Sequence, residues 1–187
     1  MKTITMIIAT FILLATNISA QWTITEVMYD PIGSDSENEW IELSGPIFPP
    51  EIKFYEDGGN HNIRLMQGNC QENCLIIIAD NSDIFLESYF LSDTVLLYDS
   101  SWSSLKNTGE KIGLKNGTEI LLSEEYPAIS KEAESLHLKD NIWTAGQPTP
   151  GEFITLSAEV PEFTTLTAII TLSALGLLVN RIKKKYV

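Results

Sequence analysis

The chain has 187 residues, 12 basic against 25 acidic, and a formal charge of −13, a length that suits one domain of ordinary size better than two. The charge is segregated: residues 1–20 carry Lys2 alone, residues 161–187 carry Arg181, Lys183, Lys184 and Lys185 against Glu162, and residues 21–160 hold 7 basic and 24 acidic residues, a net −17. So acidic a body disfavours nucleic-acid binding, which rests on Lys/Arg neutralisation of phosphates and counterion release, and no nucleic acid is expected among its partners.

Taken in chain order, residues 1–20 have a basic start at Lys2, an apolar run from Ile4 to Ala15 and a small-residue exit at Ser19-Ala20, the pattern of a secretory signal peptide. A buried N-terminal helix or an uncleaved anchor is the alternative. The body then reads as short strands. Trp22–Tyr29 and Asn38–Leu43 alternate apolar with polar residues. Ile52–Tyr55, Ile63–Met66, Leu75–Ala79, Thr94–Tyr98, Lys111–Lys115 and Thr118–Leu122 follow, separated by Gly, Pro, Asn and Asp. Only Ser82–Tyr89 suggests a helical turn. The fold class expected is all-β, an antiparallel sandwich or barrel. Asn116-Gly117 predicts a type I′ hairpin turn, and Asn116-Gly117-Thr118 is also a glycosylation sequon.

Several blocks of the body resemble the lamin-tail domain family. They are Glu26-Val27-Met28-Tyr29-Asp30-Pro31 with Gly33, Asn38-Glu39-Trp40-Ile41-Glu42-Leu43, and Leu105-Lys106-Asn107-Thr108-Gly109-Glu110-Lys111-Ile112-Gly113-Leu114 before Asn116-Gly117 and Tyr126. Ser135-Leu136, Trp143 and Thr149-Pro150-Gly151 complete the likeness. It implies an immunoglobulin-like antiparallel sandwich over residues 21–153, interacting through loops or a sheet edge. Two departures fall in the middle of the domain. Ser44-Gly45-Pro46-Ile47-Phe48-Pro49-Pro50 stands where the family runs through an Asn-Pro turn, and Cys70-Gln71-Glu72-Asn73-Cys74 replaces a Pro-Gly.

Among chemistry-bearing residues, Cys70 and Cys74 are the only cysteines. In an exported chain they are expected to bridge, with free thiols as the alternative. Asp30, Asp35, Glu37, Glu39 and Glu42 crowd one stretch. Hard oxygen ligands there could hold Ca²⁺, first at Asp30, Asp35 and Glu37, but a solvated acidic face is the expected reading and no cofactor is assigned. His61 and His137 sit in no nucleophile motif, so no catalytic residue is named and the protein is not expected to be an enzyme. Trp40, Trp102, Trp143 and Tyr126 offer a glycan or partner platform, against the reading that the sandwich core holds such residues, Trp40 alternating inward with Val and Ile positions; Trp102, in its serine-rich loop, is the one expected to be exposed.

After a linker over 154–162, Phe163–Val179 is uncharged for 17 residues and precedes a basic end at 181–187. The pattern predicts a transmembrane helix over 163–180 with residues 21–160 outside the cell. Pro161-Glu162-Phe163 before that span resembles the PEF-type sorting signals of archaeal surface proteins. The resemblance implies an archaeosortase as a partner; a plain anchor is the alternative. The expected function is a non-catalytic binding or structural module at the cell surface, its envelope protein or glycan ligand unnamed. A calcium-stabilised adhesion module and a small hydrolase are the rival readings.

Overall fold

A computed structural model describes residues 22–152, which form eleven strands and one helix. They are β1 (Thr23–Met28), β2 (Trp40–Gly45), β3 (Ile52–Glu56), β4 (Gly59–Asn62), β5 (Arg64–Gln67), β6 (Cys74–Ala79), α1 (Ser82–Ser88), β7 (Leu96–Asp99), β8 (Gly109–Asn116), β9 (Glu119–Pro127), β10 (Ser135–Lys139) and β11 (Ile142–Gly146). A seven-stranded sheet runs β11-β10-β1-β2-β6-β7-β5 and a four-stranded sheet runs β4-β3-β8-β9. The domain is therefore all-β in character. Among the described residues no helix is long and apolar enough to cross a membrane.

Alternation along the strands builds the main core. Val27, Ile41, Leu43, Ile76 and Ile78 of the larger sheet meet Ile52, Phe54, Ile112, Leu114 and Tyr126 of the smaller one, each large aliphatic side chain contributing roughly 1.5–3 kcal/mol by leaving water. The opposite face of the larger sheet is also covered. Met28, Trp40, Leu75, Ile77 and Leu97 pack beneath Phe85, Leu91 and Val95. Burial on both faces explains why β6 reads as an unbroken Leu-Ile-Ile-Ile run with all six of its residues buried.

The wholly antiparallel sheet expected from the turn spacing is corrected at one place: β6 and β7 are parallel, Ile76 to Ala79 beside Leu96 to Asp99. Parallel neighbours need a crossover of a dozen residues or more, and α1 with its following link supplies it. The helix starts where Asn81 Oδ1 accepts from the amides of Asp83 (3.1 Å) and Ile84 (3.2 Å), a Ncap with an acidic first turn.

The β8–β9 hairpin forms, but one residue later than Asn-Gly predicts. Asn116 pairs with Glu119, leaving Gly117-Thr118 as the two-residue loop, and Gly117 alone takes a positive φ of 57°. That is the φ pattern of a type II′ turn, not I′. A turn with positive φ at both centres joins β10 to β11, at Asp140 (51°) and Asn141 (61°). β4, β10 and β11 have no counterpart among the strands expected from sequence.

Candidate functional site

The acidic residues of β1 and β2 do not form a solvated face. β1 bulges between Ile24 and Glu26, which sets both Thr25 and Glu26 beside Glu42 on the outer face of the larger sheet. Glu26 and Glu42 are buried there because the end of the domain closes over them. Glu26 Oε1 accepts from Ser135 Oγ (2.5 Å) and the Thr149 amide (2.9 Å), and Oε2 accepts from Thr149 Oγ1 (3.0 Å). Glu42 accepts from Thr25 Oγ1 (2.5 Å) and the Gly151 amide (2.7 Å). Gly151 has φ +80°, and a Cβ there would stand 2.9 Å from Leu91 Cδ2, so glycine alone lets this strap lie flat. Burial pushes the Glu42 carboxyl up to about 7 against the pull of its donors, with the Glu26 charge adding to the rise.

Glu39 is buried at the edge of the main core. Its carboxylate receives Trp102 Nε1 (2.6 Å), the Leu105 amide (2.8 and 2.9 Å) and Ser104 Oγ (3.2 Å), and desolvation pushes it up to about 8. Asp80 completes the anchorage, accepting from the amides of Trp102 (2.9 Å) and Glu37 (2.8 Å). Trp102 is therefore 7% exposed, its ring 4.7 Å from that of Phe54. This corrects the expectation of an exposed tryptophan. Trp40 and Tyr126 are buried too, and Trp143 is half-buried with Nε1 donating to the Glu125 carbonyl (3.0 Å), so these four aromatics make no surface platform.

His137 reaches Ser135 and Glu26, a set with triad composition. Its Nε2 lies 3.0 Å from the Gln147 carbonyl and 3.1 Å from Ser135 Oγ, while Nδ1 lies 3.7 Å from Glu26 Oε2. A carbonyl only accepts, so the bond to Gln147 puts the proton on Nε2. Ser135 Oγ, fully buried, gives its hydrogen to Glu26 and not to the imidazole. The arrangement lacks the serine-to-histidine transfer that activates a nucleophile; it ties β10 to the strap. His61 Nε2 lies 3.2 Å from Glu56 Oε1, with no serine or cysteine in the pair.

Asp30 and Asp35 are half-buried and Glu37 is exposed. The Asp30 carboxyl is raised by desolvation and by Asp35 and Glu132, while Asp35 accepts from Asn107 Nδ2 (3.2 Å). Among the described residues no three His, Cys, Asp or Glu side chains converge as a metal cage. Cys70 and Cys74 are joined as a disulfide with Cα atoms 5.8 Å apart. Asn116 is exposed at the end of β8. Pro161, Glu162 and Phe163, like the segments 1–20 and 163–180, lie outside the described residues.

Sequence reasoning did not find the cleft of about 350 Å³ lined by Met28, Pro31, Ile32, Asn38, Ser88, Tyr89, Ala133, Gln147 and Pro148. Its parts come from five separate stretches of chain. The nearest local signals are Ile32 and Phe90, apolar residues left 77% and 95% exposed on segments that read as loops. No family model, curated protein or solved structure matches the chain.

Proposed function

We propose that residues 21–153 are a non-catalytic binding module of the lamin-tail, immunoglobulin-like kind, displayed outside the cell on the C-terminal segment and using the cleft beside Tyr89 to hold its partner. The composition of the cleft wall supports this reading. Met28, Pro31, Ile32, Ala133 and Pro148 are apolar, Asn38, Ser88 and Gln147 are neutral hydrogen-bonding groups, and the lining holds no carboxylate, imidazole, thiol or cation. Such a wall buries and orients an apolar group but offers nothing that moves a proton at neutral pH. Tyr89 is its single titratable group, and burial raises its phenol above the ordinary range, so it stays a donor.

Display rests on the signal-like residues 1–20 and on the uncharged span before Arg181, Lys183, Lys184 and Lys185. The Pro161-Glu162-Phe163 triplet supports exchange of that span by an archaeosortase. The test uses the full chain. On intact cells a membrane-impermeant amine reagent is expected to label Lys131 and Lys139, and labelling only after lysis overturns display. Full-length protein in detergent is expected to co-sediment with isolated envelope, and Ile32→Arg, at the exposed rim, to lower that binding at least tenfold; equal binding by the variant removes the cleft from the reading.

A further inference from the structure

The outer face of the four-stranded sheet carries the opposite charge to the rest of the domain. Of the 7 basic residues in 21–160, Lys53, Lys111 and Lys115 lie on it. The register sets Asn62, Lys53 and Lys115 in one row and Asn60, Tyr55, Gly113 and Ser123 in the next. Lys53 and Lys115 are directly opposite each other, an arrangement that like charges make unfavourable. The body has 24 carboxylates to offer, yet among the described residues neither lysine forms an ion pair. Lys111, by contrast, reaches Glu125 at 4.0 Å. Lys115 Nζ stands over the Tyr55 ring, 3.7 Å from its centroid, a cation–π contact in place of a carboxylate.

From this we propose that the β3–β8 face binds an anionic polysaccharide, its acidic groups on Lys53 and Lys115 and its sugars along the row of Asn60, Tyr55 and Ser123. Charge complementarity picks the sign, since an anion between the two lysines removes their mutual repulsion and no carboxylate among the described residues does so. The flat row picks a sugar. The Asn60 amide stands one strand spacing from the Tyr55 ring, roughly 5 Å, and the Ser123 hydroxyl two spacings to its other side, roughly 10 Å, with Gly113 leaving the floor between Tyr55 and Ser123 without a side chain. When an acidic group draws Lys115 away, the ring face is open to the C–H face of a pyranose. Lys111 lies four residues along β8, roughly 13 Å away, and is already paired with Glu125, so Lys53 and Lys115 alone anchor the acidic groups. This face shares no residue with the cleft, so the inference stands apart from the proposed function.

The test is affinity electrophoresis of the full-length protein in detergent, in gels containing polygalacturonate, neutral dextran, mixed micelles of anionic phosphatidylglycerol or duplex DNA. Retardation by polygalacturonate alone is expected, weakened at least tenfold in the double variant Lys53→Gln/Lys115→Gln and unchanged in Lys131→Gln, whose lysine lies elsewhere. It should fade as salt is raised. Lys53→Gln without ligand should also melt slightly higher, because the lysine–lysine repulsion is gone. No retardation by polygalacturonate, equal loss in Lys131→Gln, or retardation by dextran, the lipid micelles or DNA overturns the proposal.

Discussion

Glu26 and Glu42 are direct cross-strand partners on β1 and β2, both buried, and each holds a different amide of the same outgoing segment, Thr149 for one and Gly151 for the other. Two carboxylates side by side under cover are an unfavourable pair in isolation. They persist because every short contact they make is with a donor: two hydroxyls and an amide on Glu26, one hydroxyl and one amide on Glu42. The strap they grip is the last part of the domain before residues 153–187. Glu42 at Gly151 and Glu26 at Thr149 hold the strap beyond the His137 contact at Gln147.

Removing one grip should loosen the strap without unfolding the sandwich. Glu42→Ala leaves the Thr25 hydroxyl and the Gly151 amide without their acceptor, a cost of about 1–3 kcal/mol. Urea melts of the full-length protein check the stability, and limited proteolysis is expected to cut earlier near Gly151 than in the unaltered chain. Gly151→Ala should act in the same direction, since the new methyl meets Leu91 at a positive φ. Melting and cleavage unchanged in both variants would show that the strap carries no stability.

Stability should rise on mild acidification. Glu39 and Glu42 ordinarily titrate at 4.5 and are raised in the folded chain to about 8 and about 7. The folded state therefore binds more protons than the unfolded one between those values, and stability is greatest below 4.5 and is lost as pH rises toward 8. Glu110 is raised as well, by burial first, and adds to the trend. Asp57 is lowered by Lys106 and opposes it only in stronger acid. A melting temperature several degrees higher at pH 5 than at pH 8 is expected, with Glu39→Gln and Glu42→Gln each flattening the slope. A melting temperature that instead climbs from pH 5 to pH 8 contradicts the assignment.

The Trp102–Glu39 bond is open to a one-residue test. Trp102→Phe keeps an aromatic ring near Phe54 but removes the Nε1 donor at 2.6 Å, so the buried carboxylate loses one of its ligands. A loss of about 1–3 kcal/mol is expected. Collisional quenching of tryptophan emission should change little between the two proteins if Trp102 is buried. A marked fall in quenchable signal in the variant would restore an exposed indole.

How much of this was legible in the sequence differs from strand to strand. β6 was plain, because Leu75-Ile76-Ile77-Ile78 is apolar on both faces whatever covers it. Glu39 and Glu42 misled, since alternation reports that two faces differ but not what lies on each. Polar residues face water only if that face is bare, and here the Thr149–Gly151 strap and the Trp102 loop supply donors from more than sixty residues away. One local hint existed: Glu26 sits between Ile24 and Val27-Met28 on a strand with threonine beside it. β4 was hidden because Gly59-Asn60-His61-Asn62 has no apolar residue and owes its place to the pairing with β3. The helical turn at Ser82–Tyr89 was legible, but its role as a crossover was not, because nothing local tells that β6 and β7 pair in parallel. The cleft was out of reach, being a meeting of loops that no pattern along the chain relates.

The disulfide links a stability argument to a position in the fold. Cys74 opens β6 and is buried opposite Gly45, while Cys70 lies in the partly covered loop before it. Closing a five-residue loop contributes about 2 kcal/mol in the chain-entropy model. Cys70→Ser removes only the bridge and should cost about that much. Cys74→Ser should cost more, because it also places a hydroxyl against the main core, worth a further ~1–3 kcal/mol. Urea melts with and without reductant separate the two contributions: reductant should bring the unaltered chain down to the level of Cys70→Ser and leave that variant unmoved. If Cys70→Ser matches the unaltered, unreduced protein, the bridge contributes nothing, and the difference between the two serine variants then measures the core contact of Cys74 alone.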